Sequence, residues 1–175
     1  MQREDVIQLI QSARAKGETP DLRNADLHRI DLNGLDLSGA SLRYANLSGV
    51  NLSEANLAGA DLTGVNLTDA DLTNAKLKGV DLLGASLIRT KLMGADLLDA
   101  SLRNANLTDA NLNSAILVET TLRGAGLQVA DMRRADLEDA NLIRADLTGA
   151  NVTQEQLSKA KSLKGAILPD GSIHL

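Results

Sequence analysis

Cysteine is absent from this 175-residue sequence, and the aromatic residues are reduced to a single tyrosine, Tyr44. The lack of cysteine excludes disulfides, thiolate metal sites and a cysteine nucleophile. Only two histidines are present, His28 and His174, and no carboxylate–nucleophile pattern accompanies them. An ordinary globular core contains several large aromatic side chains, so the 43% of hydrophobic residues indicate a core of unusual composition.

The charge is acidic overall, because 18 lysines and arginines stand against 23 aspartates and glutamates, a formal net charge of −5. Proteins that bind nucleic acid usually carry a basic patch, so no direct nucleic-acid binding is expected. No apolar stretch approaches the roughly 18 residues that span a membrane, and the acidic start of the chain does not resemble a signal peptide. A cytoplasmic protein without membrane contact is therefore expected.

A five-residue repeat dominates the chain. Its centre is leucine at every fifth position from Leu22 to Leu147. Met132 is the one interruption, and Val152 occupies the last place. Alanine stands two places before the centre in 19 of the 27 units, and Asp or Asn stands one place before it in 19 units. No insertion breaks the register, so the repeat decides the fold before any local propensity does.

The period of five fits neither an α-helix nor a flat strand. Asn, Asp and Gly recur in the units, and these residues favour turns. The pattern predicts a chain that turns a corner once per unit, so that four units form a square coil of about 20 residues. The central residue and the small residue two places before it would point inward. Such a narrow interior explains the missing aromatics, because a large ring would overpack it.

Units such as ANLSG (45–49), ADLTG (60–64) and ANLTD (105–109) resemble those of the pentapeptide repeat family, and the resemblance covers residues 20–154. The resemblance implies an all-β solenoid, a right-handed quadrilateral β-helix, which 27 units would extend to about seven coils. The tail KGAILPDGSIHL is similar to the closing segment of many bacterial, especially cyanobacterial, members. Some members of the family mimic DNA and protect topoisomerases, and this role enters as a hypothesis through the resemblance alone.

The two ends of an open rod need to be covered by capping segments, because the backbone groups there have no hydrogen-bond partners. The sequence predicts an N-terminal capping segment at 1–19, with an amphipathic helix over roughly 3–15. The apolar face of that helix consists of Val6, Leu9, Ile10 and Ala13.

A C-terminal cap is predicted at 155–175. Thr153 and Gln156 match a capping box for a short helix that turns Leu157 and Ala160 inward. A turn follows at Pro169–Gly171. The apolar residues expected to cover the last coil are Ile167, Leu168 and Ile173.

Writing out the four sides of the predicted rod separates its charges. The side that starts at Leu37 has a net charge of −5, and the side that starts at Leu22 has a net charge of +2. Lys76 and Lys78 interrupt the acidic side, whose acid is concentrated in the C-terminal half. A partner-binding face is predicted there, formed by Asp96, Asp99, Glu119, Asp136, Glu138, Asp139, Leu98 and Val118. Alternatively, the negative charge of this side serves only to keep the protein soluble.

Apolar residues also occupy some outward places. Leu83, Ile88, Met93 and Leu98 follow four successive centres, so they would form a belt around the rod instead of a patch. Such a belt is either a contact for a partner or a set of scattered surface residues that needs no explanation.

No catalytic, cofactor-binding or metal-binding residue is predicted, because the chain lacks cysteine, a paired histidine and a phosphate-binding glycine loop. The sequence predicts a noncatalytic interaction module, regulatory or scaffolding, that binds an unidentified protein partner and exists as a monomer or weak dimer. The alternative is a DNA mimic that binds and protects or inhibits a type II topoisomerase, DNA gyrase.

Overall fold

The computed structural model describes all 175 residues of the chain. It contains two α-helices, α1 (Arg3–Ala15) and α2 (Gln154–Ser158). Between and after the helices the backbone pairs through single β-bridges instead of continuous strands, and all of them are parallel except the one between Ile167 and Ile173. The bridges join residues 20 apart, beginning with Asp21 and Ser41, so one turn of the rod takes four five-residue units.

Each unit contains the same tight turn. In the first one, the Ala25 N–H donates to the Leu22 carbonyl (3.1 Å), and Asn24 at the third position has a φ of 58°. A turn with this hydrogen bond and a positive φ at its third residue is a type II turn. The corresponding position, here called the corner, has a positive φ in every unit up to Gly149, 16 times on a residue other than glycine. This corner is why the pattern repeats every five residues and not every two.

Successive turns of the rod are joined by backbone hydrogen bonds. The Leu22 N–H donates to the Ser41 carbonyl (2.8 Å), and the Ser41 N–H donates to the Pro20 carbonyl (2.9 Å). The Asn24 N–H donates to the Arg43 carbonyl (2.9 Å). The same three bonds recur along the rod, so the backbone polar groups are satisfied although no long strand is present.

The interior is a stack of leucines and alanines. Every central leucine from Leu22 to Leu147 is at most 1% exposed, and Met132 takes its place in the stack at 0%. Burial of one leucine contributes about 1.5–3 kcal/mol. Two inward places hold threonine instead of alanine, and the hydroxyls of Thr90 and Thr120 each donate to a carbonyl of the preceding turn at 2.8 Å. The interior therefore tolerates a small polar group where the backbone supplies its partner.

Aspartate and asparagine one place before the centre fold back onto the backbone. Asp21 Oδ1 accepts the N–H of Arg23 (3.1 Å), and Asn111 Oδ1 accepts the N–H of Asn113 (3.0 Å). Bonds of this kind over two residues stabilise turns. They account for the recurrence of Asp and Asn in the repeat.

Helix α1 lies over the first turn of the rod. Val6 and Ile10 are buried, and Leu9 packs partly buried against the core. At the last turn of the helix, Arg14 forms an ion pair with Asp36 (2.8 Å). The apolar face and this ion pair together hold the helix on the end of the rod.

Helix α2 occupies one side of the last turn. Thr153 Oγ1 accepts the N–H of Gln156 (3.2 Å), and Gln156 Oε1 accepts the N–H of Thr153 (3.0 Å), which completes a capping box. The Gln156 amide also donates to the carbonyls of Met132 and Ala135, both at 2.8 Å. Leu157 is 2% exposed, so the helix continues the apolar interior.

Parallel pairing resumes after α2 with a changed register. Asn141 pairs with Ser162 and Asp146 pairs with Ile167, in both cases 21 residues apart. The repeat pattern recognised in the sequence stops at residue 154, whereas the pairing itself continues because α2 accommodates one extra residue.

The expectation that Ile173 covers the last coil is wrong. Leu168 packs partly buried against the core, but Ile173 is 65% exposed. The turn at Pro169–Gly171 reverses the chain, and Ile173 pairs antiparallel with Ile167. The tail therefore runs alongside the last turn of the rod, which leaves the Ile173 side chain in contact with solvent.

Candidate interaction surface

The eight residues predicted as a partner-binding face lie on one side of the rod, on three successive turns. Bridges join Asp96 to Ile116 and Ile116 to Asp136, so equivalent positions of the three units are stacked. We call this surface the acidic face. It consists of Asp96, Asp99, Glu119, Asp136, Glu138, Asp139, Leu98 and Val118, with Ile116 between them.

The acidic face combines exposed charge with a half-buried apolar centre. Leu98 and Val118 are half-buried, and Ile116 beside them is 42% exposed. Asp96 is half-buried, and the exposed acidic residues are Asp99, Glu119, Asp136, Glu138 and Asp139. An apolar centre with a charged rim is the usual organisation of a protein–protein interface.

None of the six acidic side chains of this face forms an ion pair. The seven close contacts between acidic and basic side chains involve Asp21, Asp26, Asp36, Asp61, Asp69, Asp71 and Asp131. Asp36 lies on the same side of the rod, but the hydrogen bond from Arg14 lowers the pKa of its carboxyl to about 2. The acidic face therefore gathers six carboxylates without an ion pair on one side of the rod.

Backbone hydrogen bonds hold the acidic face in place. Asp96 Oδ1 accepts the N–H of Leu98 (3.1 Å), and Asp136 Oδ1 accepts the N–H of Glu138 (3.2 Å). At the corner, the Glu119 N–H donates to the Glu138 carbonyl (2.9 Å). The face is thus organised before a partner arrives, which lowers the entropic cost of binding.

The corner residues of the acidic face line a polar cleft of about 430 Å³. Its acidic wall is the column of Asp99, Glu119 and Asp139, whose backbones are about 4.8 Å apart, the usual spacing of paired β-strands. Lys161 lines the same cleft without an ion pair. Carboxylates arranged in this way can accept the lysine or arginine side chain of a partner.

The predicted apolar belt does not form a patch. Leu83, Ile88 and Leu98 are half-buried, and Met93 is 46% exposed. They follow four successive central leucines, so each lies on a different side of the rod. Of these four residues, only Leu98 belongs to the acidic face.

The other side chains singled out from the sequence make local surface contacts. Tyr44 is 59% exposed, and its ring covers Gly64, where a Cβ atom would lie only 2.5 Å from the ring. The guanidinium carbon of Arg43 lies 5.6 Å from the centroid of the same ring. His28 Nδ1 lies 2.7 Å from Asp26 Oδ1 on the exposed surface.

A second cleft, of about 540 Å³, was not predicted. It lies on the side of the rod adjoining the acidic face, at the C-terminal end. Its lining includes Arg123, Ile143, Arg144, Lys164, Ile173 and His174. The five-residue spacing of the sequence does not indicate this cleft, because Lys164 aligns with the preceding turn only after the one-residue shift at α2. We call it the basic cleft.

No helix of the molecule is both long and apolar enough to cross a bilayer. No set of three or more His, Asp or Glu side chains is arranged to hold a metal ion.

A rod of stacked turns, each built from four five-residue units around a leucine interior, defines a solenoid repeat protein, in which each turn contacts only its neighbours. The family model for pentapeptide repeats matches this chain in 8 copies, at residues 21–57, 45–83, 85–124 and 115–154. The chain belongs to the pentapeptide repeat family, which confirms the recognition from sequence. Members of this family form right-handed quadrilateral β-helices.

Several solved structures are similar to this chain. HetL, a pentapeptide repeat protein involved in heterocyst differentiation regulation in the cyanobacterium Nostoc sp. strain PCC 7120, is 32% identical over 94% of this chain and 98% of HetL, with a TM-score of 0.28. Rfr23 from the cyanobacterium Cyanothece 51142 is 25% identical over 79% of this chain and 93% of its own, with a TM-score of 0.48.

Full-length QnrB1, a plasmid-mediated fluoroquinolone resistance protein, is 20% identical over 86% of this chain and 92% of its own, with a TM-score of 0.53. At this identity the likeness shows the fold alone. No curated protein matches the chain.

Proposed function

We propose that this protein is a noncatalytic interaction module, a regulator or scaffold, that binds a partner protein through its acidic face. The observation that carries the proposal is the group of six carboxylates without ion pairs around the apolar residues Leu98, Ile116 and Val118. Elsewhere on the rod, seven acidic residues have a basic neighbour within 4.0 Å. Solubility would be served equally well by dispersed charge, so the segregation favours a partner with a basic rim and an apolar centre.

The test is capture of the partner with charge-reversed variants of the full chain. Glu119→Lys combined with Asp139→Lys reverses two of the three corner charges of the acidic face. The captured partner, identified by mass spectrometry and then purified, should bind the double variant at least about tenfold more weakly than wild type, since each close charge pair in an interface is worth about 1.5 kcal/mol or more.

A matched control exists on other sides of the rod. Glu54 and Asp109 are also an exposed Glu and Asp at corners, with φ of 60° and 59° against 56° and 54° for Glu119 and Asp139. Reversing Glu54 and Asp109 makes the same change in net charge and in corner chemistry. Equal loss of binding in both double variants would assign the effect to net charge and contradict the proposal.

A second candidate function, a DNA mimic directed at DNA gyrase, rests on the same uncompensated carboxylates, because DNA also presents closely spaced negative charge. The acidic turns extend only about 10 Å along the rod, and Lys76 and Lys78 lie on the turn before them. A gyrase supercoiling assay with micromolar protein separates the two functions. Inhibition or protection that the Glu119→Lys/Asp139→Lys variant loses would favour the mimic, whereas no effect on gyrase would exclude it.

A further inference from the structure

We propose that the basic cleft binds a small organic anion that carries at least two acidic groups and an apolar portion. Three cationic side chains, those of Arg123, Arg144 and Lys164, line this cleft. None of them forms an ion pair. No aspartate or glutamate is among the lining residues of this cleft, although the net charge of the protein is −5.

Six basic side chains elsewhere in the chain are neutralised by an aspartate. The basic residues that lie beside an aspartate elsewhere each contact it within 3.2 Å, and they are Arg14, Arg23, Arg43, Arg89, Lys91 and Arg133. The cations of the basic cleft have no such neighbour and lie together in one cleft, so a bound anion would relieve their mutual repulsion.

The cations are held by the stacking of the last turns. Arg123 follows the buried Leu122, and the bridge between Asn141 and Ser162 places the unit of Lys164 next to the unit of Ile143. The stem of Arg144 lies against Gly165, where a Cβ atom would be 3.4 Å from Arg144 Cγ. Glycine at this corner therefore leaves room for the arginine stem beside the cleft.

The reversed tail builds the other wall of the cleft. The Gly165 N–H donates to the His174 carbonyl (2.7 Å), and the His174 N–H donates to the Ala166 carbonyl (2.8 Å). This pairing holds Ile173, which is 65% exposed, at the cleft together with the half-buried Ile143. The exposed apolar surface next to fixed cations is what an amphipathic anion would cover.

The chemistry of the lining selects the class of ligand. Guanidinium and ammonium groups bind oxyanions, phosphate and carboxylate alike, through charge-assisted hydrogen bonds. The cleft volume of about 540 Å³ is within the range of sites for small organic ligands. Three cations and two isoleucines therefore fit a ligand with separate acidic and apolar parts.

The experiment uses the full chain and bis-anilinonaphthalene sulfonate, a fluorescent dye with two sulfonates on apolar rings. One dye molecule should bind per chain, and added salt should weaken the binding. Arg123→Glu and Lys164→Glu should each weaken it about tenfold, whereas Ile173→Ser should weaken it less. Circular dichroism and denaturant midpoints of the variants establish that each is folded.

Lys78→Glu is the matched control, because Lys78 is exposed, has no ion pair and lies on another side of the rod. It makes the same change in net charge and should alter the affinity less than about twofold. Equal weakening by Lys78→Glu, or wild-type affinity in Arg123→Glu and Lys164→Glu, would overturn the proposal.

Competition with pyrophosphate and with citrate distinguishes the sources of the acidic groups. Displacement of the dye by pyrophosphate supports a phosphate-bearing ligand, and displacement by citrate supports a polycarboxylate. If neither anion displaces the dye, the site does not recognise paired acidic groups and the proposal is wrong.

Discussion

The N-terminal part of the rod, up to residue 92, and the part that follows it share one interior but differ in their outer charges. In both parts the central residues from Leu22 to Leu147 are buried and the corners have a positive φ. Six of the seven contacts between acidic and basic side chains lie in the first part, and only Arg133–Asp131 lies in the second. In the second part the charges separate into the acidic face and the basic cleft. The interior therefore places few demands on the outward residues, which are free to specify binding.

The largest effect is expected from the shared interior. Leu52→Ala in the first part and Leu112→Ala in the second should each lower the free energy of unfolding by about 2–5 kcal/mol, because both leucines are 0% exposed. The two costs should agree closely, since the neighbouring turns are equivalent. Denaturant unfolding measures both.

Leu98→Ala is the control for the interior variants, because Leu98 is outward and half-buried. It should cost less than about 1 kcal/mol. A cost for Leu112→Ala as small as that of Leu98→Ala would show that the second part is not built like the first.

The next effect concerns the corners. Val129 is a β-branched residue with a φ of 60°, and such a residue is strained in the left-handed region. Val129→Asn should raise the free energy of unfolding by about 1 kcal/mol, because Asn tolerates this conformation. Unchanged or lower stability would contradict the assigned strain.

The reverse substitution, Gly124→Val, should be destabilising. The φ of Gly124 is 67°, and a Cβ atom there would lie 2.5 Å from Asn104 Oδ1. Thermal unfolding of both variants and of wild type measures the two effects. Val129→Asn should unfold at a higher temperature than wild type, and Gly124→Val at a lower one.

A smaller effect is expected from the ion pairs of the first part. Asp36→Asn should lower stability at neutral pH by about 0.2–1 kcal/mol, the range for exposed pairs. The pKa of Asp36 is lowered from 3.8 to about 2 in the folded protein, first by the hydrogen bond from Arg14. A lowered pKa stabilises the fold above the unfolded-state value, and the contribution is lost as the pH falls from about 4 to about 2.

Unfolding measured across this pH range checks the ion pair. The wild-type and Asp36→Asn curves should converge near pH 2, where the carboxyl becomes protonated in the folded state as well. A difference that persists there has another cause. A double-mutant cycle with Arg14→Gln isolates the coupling between the two side chains.

The smallest effect on stability is expected at the acidic face. Glu119→Lys with Asp139→Lys should change the free energy of unfolding by no more than about 0.5 kcal/mol, because the side chains are exposed and unpaired. The change in the free energy of unfolding should agree with that of the Glu54/Asp109 control variant, which would show that the carboxylates of the acidic face are not needed for folding. A large destabilisation would contradict this expectation.

Much of the fold could be predicted because its strongest signal is local and repeated. A leucine every fifth residue admits few ways to bury all of them, and Val6 and Ile10 have the spacing of a helix face. The composition of the acidic face also followed from the register, since residues 20 apart are stacked.

The C-terminal end could not be predicted in the same way. A single extra residue at α2 moves Lys164 into line with Ile143, and the tail reverses beside the last turn instead of closing it with Ile173. Register changes of one residue depend on how a short helix fits into the rod, which repeat spacing alone does not describe.

By itself, the sequence determined the repeating turn, the leucine interior and which outward residues share a side, because a period of five makes neighbouring turns superimposable. Only the tertiary structure decided which charges meet. Ion pairs such as Arg89–Asp69 depend on side-chain reach between turns, and the absence of such partners at the acidic face and the basic cleft is a property of three-dimensional packing.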